Sequence, residues 1–499
     1  MEDELARLRS ILAEIADLRG AEAILGWDQQ TYMPAGGAEA RSHQSAALAR
    51  LAHERATSAE LGRLLESLER SASARDPDGD EARLVQVASR DYRKAVRVPS
   101  SWVAESTRAT TIAEKVWEEA RSRSDFSLFR PHLDRILDLC RRYVSFFPPA
   151  DHPYDVLLDN YEPGMKTAEV RAIFDALKPR QVGLIKALAR RPQADDSFLH
   201  ADYDGKTQWD FGVEVITRIG FDWERGRQDR SVHPFTGGPG RGDVRITTRV
   251  DPRFLNPALF GTIHEMGHAL YSQGAAPSLT RTPLDDGASM AVHESQSRMW
   301  ENFVGRSLPF WECFYPRLQE LFPAALGKVS LEAFYGGINR VQPSLIRVEA
   351  DEATYNLHIM LRMDLEIAML EGRLSAADLP AAWNAKMEEY LGLVPPDDAQ
   401  GVLQDVHWSG GMMGYFPTYA LGNLMAAQLW ERIGRDIPGL SDGIRRGDFS
   451  ALLGWLRENI HRHGRKFMPQ ELMRRTTGSD LDAAPYVRYL EGKFGPVSR

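Results

Sequence analysis

The five residues His264-Glu265-Met266-Gly267-His268 constrain this chain more than any other feature. On an α-helix, residues four apart share a face, so an H-E-x-x-H segment points two imidazoles at one position. The flanking residues read as such a helix. Asn256 is a suitable N-cap, Pro257 suits the first helical position, and Gly274 can end the helix in a left-handed conformation. Phe260, Ile263 and Leu270 form the stripe expected to face the core. Imidazole is a borderline-soft neutral donor that suits zinc, and a catalytic zinc takes three protein ligands with a fourth position open for water. His264 and His268 are the candidate ligands, with Glu265 beside that water. The bland alternative is a pair of helix-surface histidines.

The third ligand has to come from elsewhere, because Tyr271 and Gly274 stand where the longer metzincin pattern needs Gly and His. Residues 288–300 read as a second helix, with Val292, Met299 and Phe303 on one face. Glu294 lies on it, 294 − 268 = 26 positions after the second histidine, which leaves room for a turn and an antiparallel return. Its carboxylate could complete a His-His-Glu site. The competing reading is a solvent-facing Glu paired with Arg298 at i+4.

Apolar residues at helical spacing recur at Leu5, Leu8, Leu12 and Ile15, at Leu61, Leu64, Leu65 and Leu68, at Ile136, Leu137 and Tyr143, and from Ile346 to Leu370. The fold is therefore expected to be mainly α. Between about Asp222 and Val250, Gly, Pro and Arg crowd together as in loops, and residues 243–250 alternate apolar and polar, which predicts a strand at the edge of a small sheet. No repeat or long linker divides the chain, so one domain over 1–499 is expected, with a surface loop at 71–80. At 499 residues and 43% hydrophobic, the chain can bury a large core unaided. Its net charge of −9, from 61 basic and 70 acidic residues, argues against nucleic acid or an anionic membrane as partner. Cys140 and Cys313 alone cannot make a disulfide framework or a cysteine zinc site, and a reducing compartment fits. The start at Met1-Glu2-Asp3-Glu4-Leu5 lacks the pattern of a secretory signal, and no apolar run is long enough to span a bilayer, so a cytoplasmic location is expected.

With these residues in view, the chain resembles the M32 metallocarboxypeptidases, the thermostable-carboxypeptidase group of gluzincins. The similarity runs through Trp27-Asp28-Gln29-Gln30, Met33-Pro34 and the segment Gly36 to Arg41, then His233-Pro234-Phe235 and Asp243 to Thr247. It continues through His264 to Gly274, His293-Glu294-Ser295, Ile346 to Asp351, and Gly414 to Tyr419. The resemblance implies a large, mostly helical zinc-peptidase fold with a deep groove and a homodimer. It also implies release of C-terminal residues from peptides, with one zinc per chain or cobalt or another divalent ion in its place.

Such chemistry needs a base for water, a donor to the tetrahedral oxyanion and a reader of the terminal carboxylate. Glu265 is the candidate base. Tyr415, Tyr419 and His407, on a glycine-rich segment expected to be mobile, are candidate oxyanion donors, with Tyr419 preferred by analogy with related gluzincins. Arg347 is the candidate for the carboxylate, because a guanidinium offers two parallel hydrogen bonds. It is expected to open a helix carrying Asp351, Tyr355, His358 and Arg362 as a polar stripe, and the plainer reading pairs it with Asp351. In the resembling family, the region of His233 and Arg245 closes one end of the groove, so both are candidates for substrate contact. Trp27, Asp28 and Arg41 carry no evident chemistry and read as scaffold. Two competing functions remain: an oligopeptidase that cuts internally, and a non-catalytic helical binding protein stabilised by zinc. Glu265 argues against the second, since a structural zinc has no water to deprotonate.

Overall fold

Leu5, Leu8, Leu12 and Ile15 are all buried along one side of the first helix, Glu2–Thr31. The computed structural model describes residues 2–71 and 76–495, and residues 72–75 of the expected surface loop lie outside them. The stripes at 61–68 and 136–143 likewise fall on the helices Ala59–Arg70 and Phe126–Ser145. Ser58 caps the first of these by accepting from the Leu61 amide, and Asp125 caps the second by accepting from Ser127. Among the described residues the architecture is mainly α with one small sheet. No helix among the described residues is long and apolar enough to cross a membrane.

Two apolar clusters hold these helices. The smaller gathers the N-terminal stripes with Leu84 and Val85, and it includes Leu279 and Leu284 from the segment between the two candidate ligand helices. The larger runs from Ala113 to Leu490 and takes in Phe260, Ile263 and Leu270 of the motif helix. Burial of side chains of this size contributes about 1.5–3 kcal/mol each, so the motif helix is firmly seated.

The sheet has three strands, β1 (Gly226–Arg230), β2 (Thr236–Gly240) and β3 (Asp243–Thr248), in the order β1-β3-β2. β3 pairs in parallel with β1 and antiparallel with β2. The strand expected at 243–250 is thus present but central. Its inner residues Val244 and Ile246 are buried, and its neighbours supply hydrogen bonds on both sides.

A second departure concerns Arg347. It sits on a single turn, Arg347–Glu349, and the following helix begins only at Tyr355 and runs to Leu370. Asp351 breaks the expected continuous helix, because its side chain accepts from the amides of Gln342, Ala353 and Thr354. Local side-chain to backbone bonding of this kind competes with the helical ladder.

Candidate metal centre and active site

The motif helix spans Leu255–Gly274. Its N-cap is Phe254 rather than Asn256, which lies inside the first turn with Pro257, where a missing N–H costs nothing. Gly274 is its last residue and has no left-handed conformation; its lack of a Cβ instead makes room for the ring of His461.

The helix carrying Glu294 spans Met290–Arg298 and is capped by Ser289, whose hydroxyl accepts from the Val292 amide at 3.1 Å. It meets the motif helix at Gly267. A Cβ there would stand 2.5 Å from the Ser297 Cα and 2.9 Å from the Gln296 carbonyl oxygen, so the unnamed position of H-E-x-x-H sets the distance between the two helices. On the far side, Gly422 of helix Pro417–Asp436 lets that helix close onto Glu294, whose Cβ would be 2.6 Å from an added methyl. Gly267→Ala is accordingly expected to force the helices apart, at about 1–3 kcal/mol of stability for overpacking. It should also weaken metal binding; thermal unfolding with a chelator competition checks both, and unchanged values would show that the contact is not limiting.

His264, His268 and Glu294 converge, each offering one ligand atom within 4.8 Å of the others. Glu294 Oε2 lies 3.7 Å from His264 Nε2 and 3.6 Å from His268 Nε2. Donors about 2.0–2.1 Å from a shared ion at tetrahedral angles stand about 3.3–3.4 Å apart, so the trio is close to coordination spacing. Glu294 is 4% exposed, which removes the solvent-facing reading, although its pairing with Arg298 is real: the Arg298 Nε donates to Oε1 at 2.6 Å. The other oxygen is left to the histidines.

Neighbouring groups fix the imidazoles. His264 Nδ1 lies 2.9 Å from Glu301 Oε2, which puts its proton on Nδ1 and the lone pair on Nε2. His268 Nδ1 lies 3.2 Å from His293 Nδ1. Glu301 sits on a π-helical turn, Met299–Val304, that continues the Glu294 helix. Burial alone would raise its carboxyl, but Arg298, His264 and Arg306 hold it at about 2. Three carboxylates, Glu265, Glu294 and Glu301, thus surround two imidazoles, with Arg298 paired to Glu294 and Glu301 and Arg306 beside Glu301. The donor set and its excess negative charge both suit a divalent cation.

Glu265 is buried, and Thr236 on β2 donates to its Oε2 at 2.6 Å. Burial raises its pKa, helped by Glu294 and Glu301 and opposed by His264 and Thr236. Thr236 was not foreseen, since nothing in a Gly-Pro-rich stretch marks one hydroxyl.

The glycine-rich segment is tied down rather than free. The buried carboxylate of Glu366 accepts from the Trp408 indole at 2.8 Å, the Gly414 amide at 3.1 Å and the Tyr154 hydroxyl at 2.6 Å. Tyr419 lies on the same helix as Gly422, one turn earlier, and so on the face that meets Glu294. His407 Nε2 is 3.1 Å from the Tyr419 hydroxyl, and burial beside Arg347 drives the imidazole down to about 3, so it is neutral. The Tyr415 and Tyr419 rings are 5.2 Å apart, and burial together with the charge of Glu294 raises both phenols.

Arg347 is buried with its Cζ 4.9 Å from the Tyr419 ring. Its ionic partner is Asp405, not Asp351. The site thus brings together His264, Glu265, His268, Glu294, Arg347, His407, Tyr415 and Tyr419. His233 is exposed between β1 and β2, three residues before Thr236, and Arg245 lies on β3, paired within the sheet. Arg245 gives two donors to Asp243 at 2.8 and 2.7 Å, and stacks 4.5 Å from the Trp27 ring, with Arg227 at 4.8 Å. Trp27 therefore docks the first helix on the sheet, which gives its place as scaffold a physical basis. Arg41 does similar work by donating to Asp28 and to the Leu25 carbonyl.

Residues 7–494 match the family model of the Carboxypeptidase Taq (M32) metallopeptidases. The chain is 46% identical to thermostable carboxypeptidase 1 of Thermus thermophilus over 494 residues, with 97% of each chain covered. It is 38% identical to carboxypeptidase 1 of Bacillus subtilis, covering 97% of this chain and 96% of that one. The crystal structure of the M32 carboxypeptidase from Deinococcus radiodurans superposes with a TM-score of 0.95 at 44% identity, covering 99% of both chains. This family implies a divalent metal and peptide substrates, and the chain belongs to it: the protein is an M32 metallopeptidase, a metal-dependent carboxypeptidase.

Proposed function

We propose that His264, His268 and Glu294 hold one divalent ion, zinc by the character of the donors, and that Glu265, Tyr419 and Arg347 carry out the chemistry around it. When bound, the ion supplies Lewis acidity to the scissile carbonyl and makes water a nucleophile near neutral pH. Glu265 accepts the proton that this water loses as its oxygen bonds to the carbonyl carbon. Thr236 occupies Oε2, which leaves Oε1 for the transfer. Glu265 then returns the proton to the amine nitrogen as the C–N bond breaks, giving a new carboxylate and a free amino acid. Tyr419, raised well above the usual phenol range and so protonated, donates to the oxyanion, with Tyr415 the second candidate. His407 is assigned to Tyr419, whose hydroxyl it orients, rather than to the oxyanion.

The observation that carries the carboxypeptidase geometry is the position of Arg347. Its guanidinium lies against Tyr419, which shares a helix face with the glycine packed on Glu294. Tyr355 also connects the two groups: its hydroxyl accepts from Arg347 Nη1, and its ring lies 4.2 Å from the Cζ of Arg298, whose Nε donates to Glu294. Arg347→Met is expected to reduce discrimination between free-acid and amidated peptides by about 1.5–3 kcal/mol, or about 10- to 150-fold in kcat/KM. An unchanged ratio would remove Arg347 from carboxylate recognition.

The same reading, resting on the family resemblance, takes the chain as one catalytic domain that works as a homodimer in the cytoplasm. Elemental analysis of protein purified without added metal, and its mass in solution, test the ion and the assembly.

A further inference from the structure

Arg347 belongs to a buried group of three charges. Its Nε and Nη2 both donate to Asp405 Oδ1, at 3.0 and 2.7 Å, and its Nη1 donates to the Tyr355 hydroxyl at 2.7 Å. Asp405 Oδ2 accepts from Arg362 Nε at 2.7 Å. The side chains of Arg347, Asp405 and Arg362 are 6%, 10% and 0% exposed, so water screens little of this. Gln404 adds a second hold: its Oε1 accepts from the Arg347 amide at 2.9 Å and from Arg362 Nη2 at 2.8 Å.

A guanidinium has five N–H groups. Three of those on Arg347 are engaged, and one remains on each terminal nitrogen. The Nε–Nη2 edge is closed by Asp405, so the unengaged Nη2 proton points along the edge between the two terminal nitrogens. A carboxylate oxygen can accept that proton, and the free Nη1 proton is a second donor on the same head group. The charges also leave a remainder, since two guanidiniums against one carboxylate sum to +1. Asp405 alone would cancel Arg347; with Arg362 on its other oxygen it cannot. Burial and these cations also keep His407 and His358 neutral.

We propose that Asp405 is the positioning residue for Arg347: it clamps one edge of the guanidinium so that the other faces the substrate's C-terminal carboxylate, while Arg362 offsets the charge of Asp405 and leaves Arg347 its own. This rests on the reading of Arg347 as the carboxylate reader, and the test separates the two. Metal-saturated wild type is compared with Asp405→Leu, which removes the oxygen that accepts from both Arg347 nitrogens, with Arg347→Met, with the pair Arg347→Met/Asp405→Leu, and with Arg362→Met/Asp405→Leu, recording KM, kcat, metal content and Tm on one short free-acid peptide.

Asp405→Leu is expected to raise KM about tenfold or more, with kcat changed less than about threefold and metal content unchanged, as for lost uniform binding. In the Arg347→Met background it should add nothing. The Arg362→Met/Asp405→Leu pair removes one charge of each sign and fills the space with apolar side chains. It keeps the +1 sum, so it supplies the same KM rise in a folded protein should Asp405→Leu alone be unstable. If Arg347→Met raises KM and neither Asp405 variant does, the positioning role is overturned and the reading of Arg347 stands. An effect of Asp405→Leu that persists in full without Arg347 also overturns it. If Arg347→Met leaves KM unchanged, both statements fall together.

Discussion

Replacing Glu265 by Gln is expected to leave the metal bound and to lower turnover by about 10²–10⁴-fold, the range for removing a general base. The change keeps the side chain's size and its acceptor for Thr236, whose hydroxyl donates to the carboxylate at 2.6 Å. It removes only the capacity to take a proton. Because Glu265 contributes no atom to the His264–His268–Glu294 group, metal content should stay stoichiometric while kcat falls. The paired measurement is metal analysis and turnover on the same preparation. Loss of the metal with activity would recast Glu265 as a structural acid; retained activity would place the base elsewhere.

Glu294→Gln should do the opposite. It weakens a donor to the ion itself, and changes even to residues behind the ligands cost about 10–100-fold in affinity, so a loss beyond about 100-fold is expected here. Arg298 remains paired, because its Nη1 donates to Glu301 Oε2 at 3.2 Å, and the helix keeps its Ser289 cap. The apo protein should therefore fold, and activity should return when the ion is supplied in excess. Titration of the variant with zinc, followed by activity and by direct binding, measures this. An affinity equal to wild type would place the third donor on another residue.

What could be read in the sequence divides by how local its cause is. The two histidines were legible because one helix supplies both, and the seated stripe of Phe260, Ile263 and Leu270 confirmed the orientation. Glu294 was legible one step less directly, through the second helix, and Glu301, seven residues further on the continuing turn, could have been sought on the same face. Arg347 was legible as a residue type but not in its setting. Asp351 bends the chain with its own side chain, and the partner of Arg347 is Asp405, 58 residues away. Asp405 stands between Gln404 and Val406 in a stretch of mixed polarity, so nothing local marks it as buried with a cation. Thr236 reaches Glu265 across 29 residues from a Gly-rich strand without periodicity, so only the assembled sheet reveals it. The glycine-rich segment misled for a related reason: glycine content speaks to backbone freedom, and Glu366, which holds the segment by two hydrogen bonds, is far away in sequence.

The most direct test of the assembled site is a mass-spectrometric time course on an unstructured peptide of about ten residues, free-acid and amidated forms side by side, with metal-loaded enzyme and with enzyme stripped by chelator. The account predicts a ladder of single-residue losses from the free-acid C-terminus, absent from the amide, abolished by chelation and restored by zinc or cobalt. Internal fragments arising equally from both forms would contradict it.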